Sequence, residues 1–146
     1  MDKLEKFYNI IKKEETVTLA TASGSEVTMR IVSPVYYEKD ILIFTNSNSK
    51  KFQQLTENPN CCIAAGEFFA QATAKFCGAT MLPENENLRN AYCEKFSGAF
   101  DEGMEFGGRN DDFVLFTPTR LTGWAFKDDI PDESGIPTIP FAIDLK

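Results

Sequence analysis

Short β-branched and aromatic runs divided by turn residues constrain this chain most, because they call for an antiparallel sheet. Residues 16–22, 26–37 and 41–45 are strand-like, and Ser23-Gly24-Ser25 and Glu38-Lys39-Asp40 lie between them. Read in order, they predict a three-stranded meander, with Pro34 marking an edge or a bulge. Residues 61–66 and 70–80 continue as strands, and 113–117 and 121–126 end the set, split by Pro118. Helical spacing marks residues 2–14 through Leu4, Phe7, Tyr8, Ile10 and Ile11. It returns over 50–58, before Pro59, and from Pro83 through Leu88, Ala91, Tyr92 and Phe96. The Gly-rich, acidic stretch 97–112 reads as a loop. The tail from Lys127, with Pro131, Pro137 and Pro140, reads as extended over the surface. The pattern predicts a mainly β fold, a small antiparallel β-barrel with α-helices as covers, in a single domain spanning 1–146.

Within that frame the segment 41–55, ILIFTNSNSKKFQQL, carries the chemistry. Its strand ends at Thr45, Asn46 to Ser49 form a polar turn, and Lys50 and Lys51 open a helix. Cations at a helix N-terminus oppose the helix dipole, and a bound anion reconciles them with it. The plainer alternative is a strand, a loop and a helix with two solvated lysines, and the residues alone leave both open. No acidic residue occurs from 41 to 56, although the chain has 22 and a net charge of −7. That net charge and a pI near 4.6 weigh against nucleic acid as a partner. They do not bar a local cationic pocket, because charges beyond about 8 Å are screened.

There is no histidine, which removes Ser-His-Asp and Cys-His nucleophile systems and the usual zinc enzymes. An enzyme built this way draws its chemistry from a cofactor, and no metal-ligand set is expected. The cysteines at 61, 62, 77 and 93 form no C-x-x-C pair and read as reduced. No signal-peptide core or membrane span is recognisable, so the expected location is cytoplasmic.

Three motifs, in order, carry a resemblance: Arg30-Ile31-Val32-Ser33; Phe44-Thr45-Asn46 followed by Ser49-Lys50-Lys51; and Pro118 through Leu121 to Trp124. Together they resemble the FMN-binding split β-barrels related to pyridoxamine 5′-phosphate oxidase, on the nitroimidazole-resistance and general-stress side of that family. The resemblance implies FMN as cofactor, its phosphate held by Arg30, Lys50 and Lys51. It implies that the backbone of Ile31, Val32 and Ser33, with Phe44 and Thr45, lies along the ring and ribityl chain, and that Asn46 and Ser49 of the same motif belong to the cofactor site. It also implies a homodimer with FMN at the subunit interface and Trp124 contributed by the partner. Core or ordinary interface packing remains the plain alternative for Trp124. Gln71 or Thr73 occupies a position where the family often has a glutamine near the flavin. True pyridoxamine phosphate oxidases follow the tryptophan with a basic segment that grips substrate phosphate. Here AFKDDIPDES follows, acidic and without arginine or histidine, so vitamin B6 oxidation is not expected. The resulting expectation is an FMN-dependent oxidoreductase acting on a small molecule. The alternative is a non-catalytic dimer that binds flavin or haem.

Overall fold

The computed structural model describes residues 2–100, 111–125 and 139–145. Helix α1 (Lys3–Lys13) is followed by β1 (Val17–Ser23), β2 (Glu26–Val32), β3 (Val35–Tyr37) and β4 (Asp40–Asn46). Helix α2 (Lys50–Glu57), β5 (Asn60–Ala65), β6 (Phe68–Ala79), α3 (Glu86–Lys95), β7 (Asp111–Ala125) and β8 (Ile139–Asp144) complete the order. The strands pair antiparallel along the path β2-β1-β5-β6-β7-β4-β3, and β8 adds beside β7.

The ends of that path explain the barrel. β2 and β3 are its two edges, yet only Ser33 and Pro34 separate them in sequence. Three Cα steps span at most about 11 Å. The sheet must therefore roll until its edges meet at a covalent link rather than a hydrogen-bonded ladder. The interior is apolar: Leu19, Ile41, Ile43, Ile63, Ala70, Val114, Phe116 and Leu121 fill it, under Phe7 and Ile11 of α1. Outside β3, β4 and β7, α3 covers a second cluster of Val35, Leu42, Leu88, Tyr92 and Phe113. Lys95 Nζ ties these parts together, donating to the carbonyls of Ile11 (2.7 Å), Glu14 (2.6 Å) and Pro34 (2.7 Å).

Several elements depart from the sequence expectation. Residues 26–37 form two strands rather than one, because Pro34 lacks the N–H a ladder needs and the chain changes edge there. The meander is therefore two hairpins, β1-β2 and β3-β4, at opposite ends of the path. Pro118 does not split the last strand. A bulge at Thr119 absorbs the missing donor: Gln71 faces Arg120 while Ala72 faces Pro118. A second bulge near Cys77 places Gly78 at φ 81, a conformation suited to glycine. The end of the tail is extended, as its prolines suggest, and it is also paired with β7, Pro140 opposite Trp124. Most of the predicted 97–112 loop and the first part of the tail lie outside the described residues.

Candidate functional site

Strand β2 is inside out. Its apolar residues Val27, Met29 and Ile31 are each 70% exposed, while Thr28, Arg30 and Val32 turn inward. The pleat requires this alternation, and the β1 register fixes it by pairing Arg30 with Leu19 and Thr28 with Thr21. On the inner side, Arg30 Nη1 donates to Thr21 Oγ1 (2.8 Å) and the Leu19 carbonyl (3.1 Å). Nη2 donates to Thr28 Oγ1. All these acceptors are neutral. Among the described residues, ion pairs join Lys50 to Glu26 and Arg120 to Asp144, and neither involves Arg30.

Helix α2 brings the second cation. Ser49 caps it: Oγ accepts from Phe52 N at 3.3 Å and lies 3.2 Å from Thr45 Oγ1. Asn46 shapes the turn, its Oδ1 accepting from Asn48 N at 2.8 Å and its carbonyl from Ser49 N at 3.0 Å. No acid offsets the dipole in the first turn. The two lysines then diverge. Lys50 Nζ reaches Glu26 Oε1 at 2.8 Å in a solvent-exposed pair worth little. Lys51 is half-buried. Its pKa is lowered first by that burial and then by Arg30, with Asp111 pulling the other way. Arg30 is itself lowered by burial.

Thus Lys51 lies near enough to Arg30 for the two charges to oppose each other, and it stands in the first turn of the helix that Ser49 caps. Ile31 sends its side chain to the opposite face. Val32 packs on the barrel core, and the Ser33 carbonyl accepts from the Tyr92 hydroxyl at 3.0 Å. The Phe44 ring is spent on packing, 5.0 Å from Tyr92 and 5.2 Å from Phe100. Trp124 is 52% exposed on β7, four strands from Arg30 and on the outer face, so one chain does not bring them together. Gln71 also faces outward, opposite Cys62.

Sequence reasoning missed Gln54. It is buried on α2, and its Oε1 accepts from Thr21 and Thr28, both at 2.6 Å. A glutamine among helix polar residues carries no signal of this, although Thr28 and Arg30 sharing a face was readable.

The arrangement can bind an anion. Two partly desolvated cations that oppose each other fit a phosphate dianion, and each charge-assisted bond contributes roughly 1.5–3 kcal/mol. Cys61 and Cys62 are poor candidates for a thiol nucleophile: burial pushes Cys61 up to about 12 and raises Cys62 as well.

The family model for pyridoxamine 5′-phosphate oxidase matches residues 3–125, which contain every motif described above. The chain belongs to the pyridoxamine 5′-phosphate oxidase family. Solved structures share the family's split-barrel fold. General Stress Protein 26 from Bacillus anthracis str. Sterne is similar at 16% identity and a TM-score of 0.68, covering 99% of this chain and 100% of that one. A heme storage protein from Vibrio cholerae is similar at 13% identity and a TM-score of 0.71, over 89% of this chain and 100% of that one. A FAD-binding protein from Mesorhizobium loti is similar at 14% identity and a TM-score of 0.64, over 83% and 92%. No curated protein matches the sequence. Within the described residues of this family member, no helix is long and apolar enough to cross a membrane.

Proposed function

We propose that this member of the pyridoxamine 5′-phosphate oxidase family is an FMN-binding flavoprotein that uses the flavin as an oxidoreductase. The observation that carries the reading is the Arg30–Lys51 couple, partly buried, with no carboxylate on Arg30 among the described residues, beside the start of α2. Arg30 and Lys51 would hold the phosphate, with Ser49 and Thr45 supplying hydroxyls. The main chain of Ile31, Val32 and Ser33 would offer amides along the ring. Bound flavin supplies hydride or single-electron transfer, which a chain with no histidine does not offer from its own side chains.

Two copies would complete the site. Val27, Met29 and Ile31 share the outer sheet face with Phe69 and Trp124, an apolar surface that a symmetric partner would cover. Such a dimer would bring Trp124 of one copy towards the outer face of β2 in the other. Four free thiols suit the reducing cytoplasm.

Haem is the second reading, favoured by the likeness to the heme storage protein. Without histidine its axial ligand would have to come from cysteine, methionine or tyrosine. Absorption spectra of the protein titrated with FMN and with haemin separate the two. The expected result is resolved flavin bands and quenched flavin fluorescence at about one FMN per chain, followed by reoxidation of the reduced protein by an added acceptor. A haem spectrum with no response to FMN would contradict the proposal.

A further inference from the structure

Gln54 lies behind Arg30, in contact with the residues that hold it. We infer that Gln54 is the positioning residue of the anion site: through Thr21 and Thr28 it fixes the Arg30 guanidinium, and by being neutral it leaves that charge unspent for a phosphate. This deepens the flavin phosphate reading and rests on it.

The hydrogen bonds have a direction. Each threonine hydroxyl has one proton, and Gln54 Oε1 accepts from both hydroxyls at 2.6 Å. With those protons committed, the oxygen lone pairs of Thr21 and Thr28 face Arg30 and accept from Nη1 and Nη2. The amide orientation is set from its other end, where Nε2 donates to the Glu26 carbonyl (3.4 Å) and to Glu26 Oε1 (3.3 Å). Gln54 and Thr21 are buried, so the bond between them is shielded from water, while Glu26 at the far end is exposed.

Charge is the second half of the inference. Gln54 Oε1 lies 3.5 Å from Arg30 Nη2. A carboxylate oxygen there would pair with the guanidinium and compete with an incoming phosphate. The carboxylate of this cluster instead belongs to Glu26, on the far side of the amide, where Lys50 engages it at 2.8 Å. The amide therefore works as a spacer: it transmits orientation to Arg30 and withholds negative charge.

A charge exchange tests this without altering net charge. In Glu26→Gln/Gln54→Glu the carboxylate moves from one end of the Glu26–Gln54 contact to the other: the hydroxyls of Thr21 and Thr28 keep an acceptor at position 54, the side-chain contact between 26 and 54 keeps one donor with its direction reversed, and the bond to the carbonyl of residue 26 is lost. Dissociation constants for FMN and for riboflavin, which lacks the phosphate, are measured on wild type and variant, with circular dichroism as a check of fold. The expected result is FMN binding weakened about tenfold while riboflavin is nearly unmoved, the mark of one charge-assisted bond. A preference for FMN over riboflavin equal to that of wild type overturns the inference, as does equal weakening of both ligands. Thr28→Val, nearly isosteric, removes one relay and is read in the same way if the exchange variant does not fold. A wild type that does not favour FMN over riboflavin would instead remove the phosphate reading underneath.

Discussion

Lys51 carries a charge that most of its surroundings oppose. Burial and Arg30 place its pKa below the ordinary lysine value of 10.5. A base with a lowered folded pKa holds its proton less tightly folded than unfolded. Between the lowered value and 10.5 the unfolded chain therefore binds more protons, and the contribution of Lys51 to stability rises with pH. Phosphate binding reverses the preference, since an anion favours the charged amine. FMN affinity should accordingly fall as pH climbs through the lowered value, with proton uptake on binding in that window, and Lys51→Met should flatten the fall. Titrations from neutral pH to 10.5 in buffers of differing ionisation enthalpy measure both. A pH-independent affinity would place Lys51 away from the ligand. At this scale much of the site was readable: alternation alone put Thr28 and Arg30 on one face of their strand, and spacing placed Ser49 at the start of α2. Sequence did not separate Lys50 from Lys51, because the difference lies in Glu26, 24 positions away and adjacent only once β2 and α2 are packed.

Elements were legible where local pattern decides them. The three helices and most strands follow from periodicity and turn residues. The errors came from tertiary pairing: which edge a strand joins, and whether a bulge rescues a proline, are not written in a window of ten residues. The β3-β4 hairpin shows a local conflict. Its turn residues Glu38 and Lys39 sit at φ 47 and 69, where Asn-Gly is the favoured pair. The Tyr8 hydroxyl donates to the Lys39 carbonyl at 2.7 Å and binds this turn to α1. Left-handed backbone costs roughly 1–2 kcal/mol per residue for side chains other than glycine. Glu38→Asn with Lys39→Gly should therefore raise stability by about 1–2 kcal/mol in urea unfolding and leave ligand affinity unchanged. An unchanged or lower urea midpoint would show that the turn holds no such strain.

Across the whole molecule, β2 links fold, assembly and ligand. A strand with apolar residues outward and a threonine–arginine face inward is poorly satisfied as an isolated surface. In the proposed assembly its outer side is covered by a second copy and its inner side by an anion. Met29→Glu with Ile31→Glu places charge in the centre of the outer face. Light scattering should then read the mass of one chain where the wild type reads two. A wild type that is already monomeric would count against that use of the face. Barrel closure was foreseeable only as a class, from the number and brevity of the strands, since the closing link at Ser33 and Pro34 was hidden inside what reads as a single long strand. The central claim is that Arg30 and Lys51 hold the flavin phosphate, and the most direct measurement is FMN affinity in Arg30→Ala/Lys51→Ala against wild type. Loss of two charge-assisted bonds predicts a penalty of about 3–6 kcal/mol, at least a hundredfold, in a variant that still folds. Unchanged FMN affinity in that folded variant would contradict the claim.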